Sequence, residues 1–226
     1  MVGRLVFHQF RSLELRPWHV QIEGMCWRRA RFRWCIASID ACGGPISADK
    51  IRSPGLSYEH RRELIRERLE FLAGIMGIEV LGYSVMSDHF HCILRSRYDV
   101  VQTWSDQDVA RKWWLLCPAR KTKEGLPADP TEFELNSIRS DTRGLKEKRV
   151  RLSSISWFMR FLSERVAKVA NKQDQCSERF WEGRFRGQIL LDSAAILACL
   201  QYVDLNPVRA NIATSPESSD FTSASV

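Results

Sequence analysis

The chain has 226 residues, of which 44% are hydrophobic, with 34 lysines and arginines against 27 acidic residues. A chain of this length and apolar content can bury a full core as one large domain, which excludes a fibrous or disordered protein. The net charge of +7 and the pI of about 9.2 favour a polyanionic partner, nucleic acid before a membrane surface.

Cysteine usage and hydropathy indicate the compartment. The seven cysteines form no C-x-x-C pair, which is typical of a reduced intracellular protein. The sequence shows no signal-peptide pattern, and no apolar run approaches the ~18 residues of a membrane span. We therefore expect a soluble cytoplasmic protein with no membrane partner.

The N-terminal region combines arginines with strand-like alternation. Residues 19–27 and 32–39 alternate as strands do, and Arg28, Arg29 and Arg31 lie at their connection. Such an arginine-rich hairpin would bind phosphate, although an ordinary solvated turn has the same composition. Residues 40–57 contain Gly-Gly-Pro and Pro-Gly and are predicted to form a loop.

A helix followed by two strands is predicted next. Between residues 58 and 76, apolar residues recur at i, i+4, i+7 and i+11 from Ile65, and Gly77 supplies a stop. Residues 78–85 and 89–94 are rich in β-branched and aromatic residues and predict two strands that meet near Ser87-Asp88.

Two histidines lie on the second of these strands. His89 and His91 share one face, because side chains repeat every two residues along a strand, and their Cα atoms lie roughly 6.6 Å apart. Two imidazoles at this spacing can bind one cation, while Phe90, Cys92 and Leu94 point into the core. Taken alone, the pair is also compatible with chance, one histidine being simply hydrogen-bonded at the sheet surface.

The amino-acid composition changes in the middle of the chain. Residues from 99 to about 150 mix tryptophans, prolines and dense charge, and we predict an insertion of short helices and loops there. A strong amphipathic helix follows from Ile155, with Ser153 or Ser154 as its N-cap. The order strand, strand, helix, strand, strand predicts an α+β fold, an antiparallel sheet with helices packed on one face.

The segment 179–188 alternates cations with rings. Its arginines, Arg179, Arg184 and Arg186, would hold phosphates, and Trp181 would stack on a base. The alternative is edge packing of the rings with solvated arginines.

The last predicted helix is capped by Asp192 or Ser193. Tyr202 and Asn206 are neighbours on it, about 6 Å apart along the axis. Taken alone, a tyrosine at position 202 is more often a half-buried packing residue. Asn206 could cap a following turn, because Pro207 disfavours helical dihedrals in the residue before it. From Thr214 to residue 226 the chain turns polar, and a disordered tail is expected.

The motifs Asp88-His89-Phe90-His91 and Tyr202-Val203-Asp204-Leu205-Asn206-Pro207-Val208-Arg209 together resemble the single-tyrosine HUH transposases, most closely the REP-associated tyrosine transposases. The similarity extends to Met86-Ser87 and to an R-F-W-E segment at 179–182, and it covers about residues 58–98 and 151–212. It implies a ferredoxin-like or RRM-like HUH fold, one domain over residues 1–213 with a helical insertion at about 99–150.

The resemblance also implies the chemistry. His89 and His91 match the metal-binding histidines, Asn206 the third ligand and Tyr202 the nucleophile. A tyrosine hydroxyl with pKa near ~10 attacks a phosphodiester poorly, so a divalent ion, Mg²⁺ or Mn²⁺, would assist. The products would be a 5′-phosphotyrosine and a free 3′-hydroxyl. The substrate would be single-stranded or hairpin DNA, contacted by the arginines above, Trp181 and Arg209.

Two alternatives from other classes remain open. One is a non-catalytic or domesticated DNA- or RNA-binding protein on the same fold, and the other is a metal-dependent hydrolase that activates water with the histidine pair. The insertion and the arginine-rich start are unusual beside shorter relatives, so DNA specificity and oligomeric state do not carry over. A homodimer and a nucleoid-associated location in the cytoplasm are compatible with the resemblance.

Overall fold

The computed structural model describes residues 34–41, 59–219 and 221–223. The strands within these ranges are β1 (Trp34–Asp40), β2 (Ile78–Val85), β3 (His89–Ser96) and β4 (Arg186–Leu190). The helices are α1 (Glu59–Ile75), α2 (Tyr98–Thr103), α3 (Asp106–Leu116), α4 (Glu132–Ser140), α5 (Thr142–Leu152), α6 (Ile155–Gln173) and α7 (Ser193–Arg209), followed by a 3₁₀ turn at Pro216–Ser218. The hairpin expected around Arg28, Arg29 and Arg31 lies outside the described residues.

The four strands form one sheet in the order β2-β3-β1-β4, and each neighbouring pair is antiparallel. This order, with α1 between β1 and β2 and α6 between β3 and β4, is the ferredoxin-like arrangement. The β2–β3 hairpin closes at Ser87-Asp88, where the Met86 amide donates to the His89 carbonyl at 2.8 Å. The predicted α+β class with an antiparallel sheet is confirmed.

The main core lies between the sheet and two helices. Alternate residues of β1 and β3 pack against α1 and α6 on one face, and all are nearly inaccessible: Cys35, Ala37, Ile39, Phe90, Cys92 and Leu94. The predicted apolar face of α1 is buried there through Ile65, Leu69 and Leu72. Burial of this face stabilises the fold, at roughly 25 cal/mol per Å² of apolar surface removed from water.

Helix α7 covers the other face of the sheet. Its Val203 packs with Ile93 and Leu190, and Ile36 lies against this smaller cluster. The expectation of helices on one face therefore describes α1 and α6, whereas α7 is an additional layer on the opposite face. In the described part of the chain, no helix is long and apolar enough to cross a membrane.

A β-bulge in β2 allows α7 to lie close to the sheet. The register between β2 and β3 shifts between Val80 and Gly82. A Cβ added at Gly82 would lie 2.9 Å from Leu200 Cδ2 on α7 and 3.2 Å from Ser223 Oγ. The bare backbone of Gly82 thus sets how near the helix comes to the strand.

Helix α7 continues through Pro207, which corrects the expectation that Asn206 leaves helical geometry. The Ala195 amide donates to the Asp192 side chain at 2.7 Å at the start, and the Ala210 amide donates to the Asn206 carbonyl at 3.0 Å near the end. Proline removes one backbone donor, but burial of the Pro207 ring compensates and the helix persists.

The stop after α1 has a different cause from the one expected. The helix ends at Ile75, and the φ angle of Gly77 is not in the left-handed region. A Cβ at Gly77 would instead overlap the Val101 side chain, and the Arg97 amide donates to the Gly77 carbonyl at 2.8 Å. Glycine is needed here for close packing against α2.

Within the described ranges, the expected insertion and the expected tail both have defined structure. Helices α2–α5 fill the stretch expected to be a helical insertion. Where a disordered tail is expected after Thr214, the Phe221 carbonyl accepts from the Val85 amide at 3.1 Å, and Ser223 Oγ donates to Asp204 of α7 at 2.8 Å. These contacts hold the described end of the chain against the edge of β2.

Candidate metal and nucleophile site

The two histidines of β3 lie side by side on the face covered by α7. The ring centroids of His89 and His91 are 4.9 Å apart with an interplanar angle of 74°. Opposite them on β1 lie Asp40 and Ser38, and Ser84 of β2 flanks His91 on the other side. The predicted orientation of His89 and His91 away from the core is confirmed by the position of Phe90 between them, on the opposite face.

The orientation of His89 is determined by its neighbour. Its Nδ1 lies 2.7 Å from Asp88 Oδ1, a contact that favours the tautomer in which Nδ1–H donates to the carboxylate and Nε2 is available as a ligand. A carboxylate that fixes the tautomer in this way is a common outer partner of metal-binding histidine. Asp88 was not expected from the sequence to have a role, although its position next to His89 could have indicated one.

The ring nitrogens of His91, Nδ1 and Nε2, are buried and have no hydrogen-bond partner among the described residues. Burial, with a smaller contribution from the neighbouring His89, lowers the pKa of His91 to about 3, so the ring is neutral at pH 7. A buried polar group without a partner costs free energy, which a bound cation would remove by using one nitrogen as a ligand.

Helix α7 brings a tyrosine to His91. The ring centroids of Tyr202 and His91 are 5.5 Å apart, with an interplanar angle of 71°. The guanidinium carbon of Arg209 lies 5.6 Å from the centroid of the Tyr202 ring. Arg209, expected from sequence only as a DNA contact, therefore also touches the candidate nucleophile.

Asn206 follows Tyr202 by one helical turn. Its Nδ2 is buried and has no hydrogen-bond partner within the described ranges. Because rotation of the amide by half a turn exchanges Oδ1 and Nδ2, this position can present a carbonyl oxygen instead. His91 on β3 and Asn206 on α7 thus each contribute inaccessible polar atoms that lack partners.

The donor set fits a divalent ion. Two imidazoles and an amide oxygen are acceptable ligands for Mn²⁺ and, with added water, for Mg²⁺. Among the residues that the structure describes, no group of three or more His, Cys, Asp and Glu side chains is placed to hold a metal ion. A site here depends on Asn206 as the third ligand.

The residues expected to contact DNA separate into two groups. Arg186 lies on β4 opposite Ser38, which is itself opposite His91, so these three positions form one row on the same sheet face. Two strand spacings, roughly 9.5 Å, separate the backbones of Arg186 and His91. Arg179 and Arg184 are exposed, but no described contact places them at the histidine pair.

Trp181 belongs to the core rather than to an interface. It is 6% exposed, its indole nitrogen donates to the Ser163 carbonyl at 2.9 Å, and its ring lies 6.2 Å from that of Phe90. Its faces are covered, so it cannot stack on a base, which corrects the expectation from the R-F-W-E segment. The alternation of cations and rings could not show which rings point inward.

Comparison with solved structures gives a distant similarity, whereas comparison with family models and with curated proteins gives none. No family model matches the sequence, and no curated protein matches it. A solved structure of a REP-associated tyrosine transposase bound to a REP hairpin is similar over 87% of this chain and 81% of that chain, with 12% identity and a TM-score of 0.46. This is a distant structural relationship, and at this level it assigns no function.

Proposed function

We propose that the protein is a metal-dependent DNA endonuclease and transposase that cleaves and rejoins single-stranded DNA through Tyr202. The observation that carries the proposal is that both ring nitrogens of His91 are inaccessible and lack hydrogen-bond partners among the described residues, while its ring packs against the Tyr202 ring. The sequence motifs around His89 and Tyr202 support the same chemistry, and the net charge of +7 suits a polyanionic substrate.

His89, His91 and Asn206 would hold Mg²⁺ or Mn²⁺. When bound, such an ion polarises the scissile phosphate and offsets the negative charge that develops on it. Asp88 keeps the Nε2 lone pair of His89 directed away from the carboxylate, as its contact to Nδ1 requires.

Tyr202 would act as the nucleophile. A bond forms between its Oη and phosphorus as the bond between phosphorus and O3′ breaks, the phenolic proton passes to solvent, and the leaving 3′-oxygen takes a proton from solvent. The product is a 5′-phosphotyrosine with a free 3′-hydroxyl, and attack by a 3′-hydroxyl reverses the step and rejoins DNA. Arg209 holds the Tyr202 ring and contributes positive charge near the phosphate.

The test is the formation of a covalent adduct. The full-length protein is incubated with a pool of labelled single-stranded hairpin oligonucleotides and Mn²⁺ or Mg²⁺, and denaturation-resistant adducts are mapped by mass spectrometry. We expect an adduct on Tyr202 that is lost with chelator, with Tyr202→Phe and with His91→Ala. Tyr98→Phe, at an exposed tyrosine of α2, is the matched control and should retain the adduct.

Two outcomes would contradict the proposal. Cleavage without any adduct would favour a hydrolase that activates water with the histidine pair. Binding without cleavage across a broad pool, unchanged by Tyr202→Phe, would indicate a non-catalytic nucleic-acid-binding protein. Calorimetric titration with Mn²⁺ alone separates the metal from the reaction, because Asn206→Ala should weaken Mn²⁺ binding while His60→Ala, on exposed α1 surface, should not.

A further inference from the structure

The tryptophan of the R-F-W-E segment connects the packed face of the sheet to the end of β1. The indole of Trp181 donates to the Ser163 carbonyl of α6 at 2.9 Å, and the centroid of its ring lies 6.2 Å from that of Phe90. The backbone of Trp181 pairs with Ala41, one residue past β1, in an isolated antiparallel bridge. The side chain of Trp181 is thus anchored in the core while its backbone holds the end of β1.

The end of β1 in turn holds the turn between β2 and β3. The Ala41 amide donates to the Asp88 carbonyl at 2.7 Å, and the Glu182 amide donates to the Asp40 carbonyl at 2.9 Å. Asp40 lies opposite His89 in the register of β1 and β3. The end of β1 therefore lies between the R-F-W-E segment on one side and the histidine-bearing strand on the other.

The carboxylate of Asp88 completes the connection to the histidine pair. It contacts His89 Nδ1 at 2.7 Å, and this contact favours the tautomer that leaves Nε2 available as a ligand. The Asp88 side chain is 49% exposed, so its position depends on its backbone, which the Ala41 amide fixes. Supporting groups must hold a ligand within roughly 0.5 Å of its working geometry. Whatever fixes the end of β1 therefore also fixes the ring of His89.

We propose that Trp181 is a positioning residue for His89, acting through Ala41 and Asp88. Because the indole is anchored beneath the sheet, the end of β1 is held against the turn between β2 and β3, and the Asp88 carboxylate stays on Nδ1 of His89. The inference rests on the proposed function in assigning His89 to a metal ion, but the state of the ring can be measured without metal or DNA. It gives the R-F-W-E segment a role at the histidine site although its tryptophan lies on the opposite face of the sheet.

The test uses a matched pair of buried tryptophans. Trp181→Phe removes an indole that donates to a backbone carbonyl. Trp114→Phe removes the same group in the insertion, where Trp114 is 3% exposed and donates to the Ala128 carbonyl at 2.7 Å. We expect both variants to lower the midpoint of urea unfolding to a similar extent, because each leaves a carbonyl without its donor. Only Trp181→Phe should change the state of His89.

The first readout is the tautomer of His89 in the metal-free protein. Nitrogen-15 NMR of histidine-labelled protein distinguishes a protonated Nδ1 from an unprotonated one. We expect a protonated Nδ1 in the wild type, in Trp114→Phe and in Asp88→Asn, whose amide oxygen can also accept the hydrogen bond. Trp181→Phe and Asp88→Ala should shift the ring towards the tautomer protonated at Nε2. Unchanged His89 signals in Trp181→Phe would overturn the inference.

The second readout is the affinity for Mn²⁺, measured by calorimetric titration. Trp181→Phe and Asp88→Ala should each weaken binding by about tenfold or more, because loss of an outer partner of a metal-binding histidine costs about 10–100-fold in affinity. Since Trp181 acts through Asp88, Trp181→Phe should weaken binding by less than about twofold further in the Asp88→Ala background. Equal weakening by Trp114→Phe, or additive losses in the double variant, would overturn the inference.

The two proposals fail in different ways. A wild type that binds no Mn²⁺, with tautomer shifts as expected in the variants, would contradict the metal site and leave the positioning of His89 supported. Formation of the Tyr202 adduct together with an unaltered His89 tautomer in Trp181→Phe would support the reaction and overturn the role of Trp181.

Discussion

The two faces of the sheet have opposite properties although they share the same strands. On one face, Phe90, Cys92 and Leu94 of β3 are completely buried beneath α1 and α6. On the other, His91 contacts Tyr202 of α7, and polar groups without described partners remain there. Residues adjacent in a strand point to opposite sides of the sheet. One face can therefore stabilise the fold by apolar burial, while the other keeps polar side chains whose burial costs free energy.

Removing the phenolic hydroxyl should have the largest effect and should affect only the second face. Tyr202→Phe is expected to lower adduct formation by at least about a thousandfold, because no other group supplies the attacking oxygen. The free energy of unfolding should change by less than about 1 kcal/mol. The measurement is single-turnover cleavage beside urea unfolding, and residual cleavage near the Tyr98→Phe rate would contradict the assignment.

A substitution on the face packed against α1 and α6 should lower stability more than a substitution on the histidine face. Phe90→Ala is expected to lower the free energy of unfolding by about 3–5 kcal/mol, because a fully buried ring is replaced by a cavity. The adjacent His89→Ala should cost less than about 1 kcal/mol, since His89 is partly exposed. Equal losses in urea unfolding for these two neighbours would show that the faces do not differ as described.

A substitution of Arg209 tests whether its contact with the Tyr202 ring contributes to the proposed reaction. Arg209→Gln should slow adduct formation by about tenfold, which corresponds to a cation–π contribution of about 1.4 kcal/mol. Arg184→Gln, an exposed cation with no described contact to Tyr202, is the control for net charge. If both variants slow the reaction equally, Arg209 acts only through general attraction of DNA.

The smallest expected effect concerns the stability of the metal-free protein. His91→Leu should raise the free energy of unfolding by about 1 kcal/mol at pH 7, because it removes two buried nitrogens that have no hydrogen-bond partner among the described residues. It should also abolish stabilisation by Mn²⁺. Urea unfolding in chelator measures the first effect, and thermal shifts with added Mn²⁺ measure the second.

The same variant should change the pH dependence of stability. The pKa of His91 lies near 3 in the folded protein and at about 6.5 when unfolded, so between these values the unfolded chain binds a proton that the folded chain does not. Stability of the wild type is therefore lost as pH falls from 6.5 towards 3, and His91→Leu should show a shallower loss. Parallel curves would contradict the burial of a neutral His91.

The sequence predicted best where local periodicity determines structure. The strand carrying His89 and His91, with Phe90 directed to the core, follows from alternation alone. The i, i+4 spacing likewise placed Tyr202 and Asn206 on one side of a helix. Their roles as nucleophile and ligand, and the metal itself, stay predictions.

Tertiary packing accounts for what the sequence could not predict. Nothing in the chain order shows that α7 crosses the second face so that Tyr202 meets His91 and Arg209. Local rules also favoured a helix end at Asn206, but burial of Pro207 outweighs the missing hydrogen bond. Trp181 has the composition of an interface residue, and only the fold shows that its ring is enclosed.

Gly82 places no side chain between β2 and α7. Its missing side chain lets Leu200 of α7 approach β2, and the same helix carries Tyr202, whose ring centroid lies 5.5 Å from that of His91. An alanine could be accommodated by rotation of Leu200, whereas a valine would force the helix outward. A substitution at position 82 should therefore change the distance between Tyr202 and His91 without altering either residue.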